Sequence, residues 1–256
     1  MKKSGLSAAC VSLSGGVDSA VTFALMNNAA KQEGSPIKRC VAIAQPINST
    51  KSIMDRAYEA QKVLGGEIIT VDQTELHGQL SKLVESAISI EGKSFAQGQL
   101  RSYMRTPVGY YVAQLVSQEG NPCIVMGTGN LDEDGYLLYY CKAGDGVVDV
   151  QLIADLHKSE VFAVGRELGV PSSILDAPPS ADLWDGQTDE EELGFSYDFV
   201  ELFTSVQKWD EAKRNAAIAA LSADAKAEWD KCTEAIVAVH NRNKHKLNSP
   251  LNINIL

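Results

Sequence analysis

The chain is short of positive charge, of cysteine and of long apolar runs. Of its 256 residues, 23 are Lys or Arg and 33 are Asp or Glu, a formal net charge of −10. An acidic balance of this size disfavours nonspecific binding to nucleic acid or to anionic membranes, which depends on basic patches and counterion release. No apolar stretch approaches the ~18 residues of a membrane-spanning helix, and the opening Met1-Lys2-Lys3-Ser4-Gly5 is no apolar leader. The five cysteines, Cys10, Cys40, Cys123, Cys141 and Cys232, form no Cys-x-x-Cys pair and no zinc-ligand spacing. Their number is odd, and with no apolar leader signal and no membrane-length run a reducing cytoplasm is the expected compartment, with most of the thiols serving as small buried hydrophobes. What remains is a length suited to one α/β domain and a composition, 45% hydrophobic and 22% charged, of globular type.

Short runs rich in β-branched residues alternate with longer helical patterns. Residues 8–13 (AACVSL), 40–44 (CVAIA), 68–71 (IITV) and 123–126 (CIVM) read as strands buried on both faces. Between them, residues 19–30, 53–64, 76–90 and 108–118 carry helical periodicity, with Gly65-Gly66 and Gly120-Asn121-Pro122 as stops. This order predicts right-handed crossovers and an α/β fold, a doubly wound parallel sheet flanked by helices, with ligands at the carboxyl ends of the strands. After Val150 the rhythm changes. A helix over 157–168 ends at Gly169-Val170-Pro171, and the irregular stretch 177–187 has the length of a lid or binding loop. Thr188 and Glu191 have capping-box spacing, which makes the acidic run 189–192 a solvated first helical turn. Residues 197–246 read as helices broken near Leu221-Ser222, and the tail after Pro250 has no clear element. One domain over 1–256 is expected, divided into an α/β core over 1–150 and a lid loop with helices over 151–256.

The most informative segment is Ser14-Gly15-Gly16-Val17-Asp18-Ser19, between the first strand and the first helix. Paired glycines let the main chain approach a ligand closely, and helix-terminal amides with two hydroxyls offer donors to an anion. The segment is neither Gly-x-x-x-x-Gly-Lys-Ser/Thr nor Gly-x-Gly-x-x-Gly. It lacks a lysine but keeps an acid, Asp18, placed to hold Mg²⁺ beside phosphates. On spacing alone, a serine-capped glycine turn joining strand to helix is the alternative.

Ser-Gly-Gly-x-Asp-Ser resembles the PP-loop of the ATP pyrophosphatases, whose adenine nucleotide alpha hydrolase-like fold is Rossmann-like. Later segments resemble one branch of them, the ammonia-dependent NAD synthetases. These are Gly127-Thr128-Gly129-Asn130 with Glu133, then Lys142 with Gly144-Asp145-Gly146-Val147-Val148-Asp149, and Ile153-Ala154-Asp155-Leu156-His157-Lys158. The most distinctive match is Pro178-Pro179-Ser180-Ala181-Asp182-Leu183-Trp184 followed by Gly186-Gln187-Thr188-Asp189-Glu190, and His245-Lys246 adds a weaker one.

The resemblance implies ATP-dependent amidation of deamido-NAD by ammonia, through an adenylylated carboxylate, with release of AMP and pyrophosphate. It implies a homodimer, Mg²⁺ on Asp18 and Glu133, and ATP held by Ser14, Gly15, Gly16, Asp18, Ser19, Thr128 and Arg105. Lys142, Asp145, Asp149, Lys158, His245 and Lys246 would face deamido-NAD, with Asp18, Lys158 and Asp145 catalytic. Simpler readings stand beside these: Glu133 in a solvated acidic turn, Lys158 as a surface helix lysine, Asp145 as a turn former, and His77 and His157 as structural.

The chain also departs from the family pattern. Gln99 stands for asparagine, Tyr103 for the first of two arginines, and Ala143 for an aromatic residue. A lost guanidinium matters where phosphates bind, and Arg101 is a candidate substitute. With about seven residues before the first strand, the family's N-terminal helix is expected to be short or absent. No amidotransferase segment is recognised, so free ammonia, or ammonia from a separate partner, is expected. Another AMP-forming ligase with a different acceptor, or an ATP-sensing module without turnover, is the alternative.

Overall fold

The structure, a computed structural model, describes residues 1–180, 188–248 and 253. Five parallel strands lie in the order β3-β2-β1-β4-β5: β1 Ala8–Ser12, β2 Arg39–Ala44, β3 Glu67–Thr70, β4 Cys123–Gly127 and β5 Val150–Gln151. β5 is a two-residue strand with no signature in the hydropathy pattern. Alternation sorts the strand residues between two cores. Ala9, Val11, Cys40 and Ala42 face one layer, and Ala8, Cys10, Val41 and Ile43 face the other.

The first layer holds α1 (Val17–Lys31), α2 (Lys51–Leu64), α5 (Lys158–Glu167) and α6 (Ser172–Leu175). Helix α1 is apolar nearly all round because sheet and helices enclose it. The second layer holds α4 (Ser94–Gln118), with Val112, Ala113 and Val116 against the sheet, and α3 (Thr74–Ile88) packs on α4. A third core joins α7 (Asp189–Leu193), α8 (Tyr197–Gln207) and α10 (Ala223–Asn243) around Phe203, Trp229 and Ile236. Helix α9 (Glu211–Ala219) contributes no buried residue, and a short 3₁₀ turn, Lys244–Leu247, follows α10.

Several expectations need correction. Helix α4 begins 14 residues before the periodic stretch and runs through Pro107. An interior proline removes one backbone bond and crowds the preceding turn. Here Gly98, Ser102, Met104 and Gly109, on both sides of it, are buried, so tertiary packing overrides the local penalty. Thr188 is the N-cap residue of α7, but its side chain makes no cap hydrogen bond. The run it opens is not fully solvated: Asp189 is buried, and Glu190 Oε1 accepts from the Tyr197 amide at 2.9 Å. The helical stretch has a second break, at residues 208–210, where Asp210 caps α9. Four cysteines are buried and Cys123 is half-buried, all as free thiols. The expected lid falls largely on residues 181–187, outside the described residues, as does most of the tail after Pro250.

Candidate active site

The chain leaves β1 toward β2 on one side and reaches β4 on the other, so a crevice opens beyond the carboxyl ends of β1 and β4. The glycine loop follows β1, and the Gly127-Thr128-Gly129-Asn130 turn follows β4. A cavity of about 800 Å³ lies between them.

Gly15 has φ +90°, and a Cβ there would collide with the Ile53 carbonyl of α2. Glycine is therefore required both by the conformation and by the close approach of α2. The two serines brace the loop internally: Ser14 Oγ and Ser19 Oγ lie 3.1 Å apart, and Ser19 Oγ donates to the Gly16 carbonyl at 2.9 Å.

On the other side, residues Leu131–Leu137 form a π-helix where the sequence suggested an acidic turn. Asn130 caps it, its Oδ1 accepting from the amides of Asp132 (3.1 Å) and Glu133 (2.9 Å). The same residue's Nδ2 donates to Asp18 Oδ1 at 2.9 Å, joining the two loops. The short elements thereby bring two carboxylates to one ammonium. Lys158 Nζ donates to Asp18 Oδ2 at 2.7 Å and to Glu133 Oε1 at 2.6 Å. Asp132, wholly buried, fixes the start of α5: Oδ2 accepts from the Lys158 amide and Oδ1 lies 2.8 Å from His157 Nδ1. A carboxylate at this helix N-terminus is also favoured by the helix dipole. His157 and the Lys158 amide thus share the Asp132 carboxylate.

Two carboxylates against one amine leave the cluster net negative. Burial is the main force raising Glu133, which is pushed up to about 7; Lys158 opposes it, while Asp18 and Asp189 add to it. Burial works against the charge on Lys158, but Asp18 and Glu133 outweigh it and hold the ammonium above the ordinary lysine value. The Tyr197 ring lies 5.1 Å beneath Nζ. An all-oxygen, carboxylate-rich set of this kind suits a hard divalent cation.

Ser14, Gly15, Gly16, Asp18, Ser19, Thr128, Arg105, Glu133, Lys142, Asp145, Lys158, His245 and Lys246 all line the one cavity. Asp145 Oδ1 accepts from the Cys141 amide (2.9 Å) and Ser102 Oγ (3.2 Å). Lys142 donates to the Asn248 carbonyl and Lys246 to the Leu138 carbonyl, tying the 3₁₀ turn and the residue after it to the cavity wall. Asp149 is not in that wall. Its Oδ2 accepts from the Val125 amide and its Oδ1 from Tyr110 Oη, which ties it to β4 and α4. Arg101 is also outside the wall. His77 is buried with Nε2 3.3 Å from the Gln97 carbonyl.

Asn130, Asp132 and Arg56, the last in the cavity wall, were not singled out as site residues from the sequence. Asn130 had a signal, its place in the turn after the fourth strand. For Asp132 and Arg56 there was none.

A family model for NAD synthase matches residues 1–250. An NH₃-dependent NAD⁺ synthetase from Methanococcoides burtonii is 36% identical over 203 residues, 78% of this chain and 72% of the relative. Its counterpart from Mesoplasma florum is 32% identical over 237 residues, 86% and 90% of the two chains. Among solved structures, the NMN synthetase of Francisella tularensis superposes with a TM-score of 0.78 at 30% identity, covering 99% of this chain and 92% of that one.

Proposed function

The chain belongs to the NAD synthase family, and from that premise we propose that it amidates deamido-NAD with ammonia at the expense of ATP. The observation that carries the reading is the convergence of Asp18 and Glu133 on Lys158 within the cavity that the glycine loop lines. ATP phosphates lie on the loop amides and the α1 N-terminus, where backbone dipoles replace formal charge. The acceptor carboxylate attacks the α-phosphorus, the bond to the β-phosphate oxygen breaks, and pyrophosphate leaves. Ammonia then adds to the acyl carbonyl of the mixed anhydride, and AMP departs with the former carboxylate oxygen.

Asp18 and Glu133 would hold Mg²⁺, which supplies charge to screen the phosphates and the departing pyrophosphate. Lys158 holds the two carboxylates together, and Asp145 orients the acceptor near Lys246. Incubation with ATP, Mg²⁺, ammonium and deamido-NAD should yield AMP and NAD in equal amounts, and glutamine in place of ammonium should yield neither. Absence of both products with ammonium refutes the proposal.

A second reading keeps the chemistry and shortens the acceptor to nicotinate mononucleotide. It is favoured by the likeness to the Francisella tularensis NMN synthetase. Tyr103 in place of a guanidinium and the small Ala143 also suit an acceptor with fewer phosphates. A higher kcat/KM for the mononucleotide in the same assay selects it. The setting is the cytoplasm, with free ammonia or a separate source of it. Leu83, Val84 and Ile88 of α3, with Tyr111 and Leu115 of α4, form an exposed apolar surface suited to a second copy of the chain. Sedimentation should therefore give twice the monomer mass of 27.6 kDa.

A further inference from the structure

The cavity contains a cation that the family motifs do not account for. The backbone of α2 from Ile53 to Ala57 presses on the glycine loop at Gly15. Arg56 lies within that stretch and lines the cavity beside Ser14, Gly15 and Gly16. Its side chain makes no hydrogen bond or ion pair among the described residues, and its Nε is shut off from water with no acceptor. The nearby carboxylates of the same helix are engaged elsewhere: Asp55 with Lys51 at 2.6 Å, and Glu59 with Ser173 Oγ at 2.6 Å. Arg101 has a similarly orphaned Nε but does not border the cavity.

A buried donor without an acceptor is costly, and the cost is recovered when a ligand supplies one. Of the other cations in the cavity wall, Lys158 is committed to two carboxylates and Lys142 and Lys246 to backbone carbonyls, while Arg105 interacts with Asp145 and Arg242 lies by Lys246. The glycine loop carries no lysine of its own, and the ammonium that reaches it, Lys158, is already bound to two carboxylates. A guanidinium fork matches two phosphate oxygens at once.

We infer that Arg56 is a binding residue for the β,γ-phosphates of ATP, the half that leaves as pyrophosphate. This rests on the proposed use of ATP, and it adds a contact outside the glycine loop.

The test compares wild type with Arg56→Ala, Arg56→Gln and Arg56→Lys, each checked by thermal melting. Isothermal titration with ATP, AMP and inorganic pyrophosphate in Mg²⁺ supplies the readout. Loss of one bidentate charged contact should weaken ATP and pyrophosphate about 10-fold, leave AMP within about 2-fold, and be partly restored by lysine, which keeps charge without the fork. Unchanged ATP and pyrophosphate affinity in folded Arg56→Gln overturns the assignment. Equal losses for ATP and AMP also overturn it, since they place the contact on the nucleoside half. If wild type binds no ATP, the proposed function falls and this inference with it, an outcome distinct from wild-type binding that Arg56→Gln retains.

Discussion

Ion pairs stand at both ends of the sheet, and they differ in how completely they are satisfied. At the amino end, Arg39 of β2 and Glu67 of β3 form a bidentate pair, Nε and Nη2 each 2.8 Å from a carboxylate oxygen. One charge meets one charge, and both side chains remain more than a third exposed. At the carboxyl end, Lys158 faces two carboxylates, and its side chain is only 5% exposed. The first pair is complete and costs little to maintain. The second is short of positive charge and buried, an arrangement that favours a further cation over stability alone. Excess charge at the carboxyl end is thus the physical mark separating a site from a brace.

Breaking each member should expose this asymmetry. The largest effect is expected for Lys158→Met, which leaves Asp18 and Glu133 facing each other. It should cost about 3–5 kcal/mol, as for other broken buried ion pairs, read as a fall in Tm. Millimolar Mg²⁺ should recover part of that loss by binding the folded state. Arg39→Met should show no such Mg²⁺ response, and a rescue of both variants would erase the distinction.

Next in size is Asp18→Asn, expected to slow single-turnover AMP formation by about 10²–10³-fold, the range seen when one electrostatic stabiliser of a transition state is lost. Glu133→Gln should slow the same step by roughly 10–10²-fold with ATP affinity nearly unchanged, because charge on pyrophosphate grows toward the transition state. Equal losses in affinity and rate would place Glu133 in ground-state binding instead.

What the sequence disclosed, and what it hid, follows the range of the interactions. The four long strands were legible because Ala8, Cys10 and their neighbours are apolar on both faces, and the glycine loop because its strand and helix adjoin it. The start of α4 was hidden because proline penalties are local while the packing of Gly98 and Ser102 is not. Asp132 reads as one of several acids in a turn until it meets the amide of Lys158, 26 residues away. Asp18 meets Asn130 across 112 residues and Lys158 across 140. The family resemblance named Asp18, Glu133 and Lys158, but it did not reveal that the lysine holds the two acids together. Nor did it reveal that the Asp149 oxygens meet the Val125 amide of β4 and the Tyr110 hydroxyl. Arg56 carries no motif; its place in the cavity wall together with an unpartnered Nε distinguishes it.

The smallest expected effect sharpens the comparison from the amino end. Hydrogen bonds from Arg39 hold the Glu67 carboxyl below its ordinary value, against the opposing pull of burial. A carboxyl depressed in the folded state adds stability above its unfolded pKa, ~4.3 for glutamate. That contribution disappears as pH falls through the lower folded value. Because the pair is more than a third exposed, solvent screens it, and Glu67→Gln should cost under about 1 kcal/mol at pH 7. The difference in Tm between wild type and Glu67→Gln should shrink as pH drops from 5 toward 3, and it should be smaller in 0.5 M salt, where the screening length is short. A difference that persists at low pH would mean that Glu67 acts by packing its methylenes over the sheet edge. A loss above about 2 kcal/mol at pH 7 would contradict the picture of a solvated, self-sufficient brace.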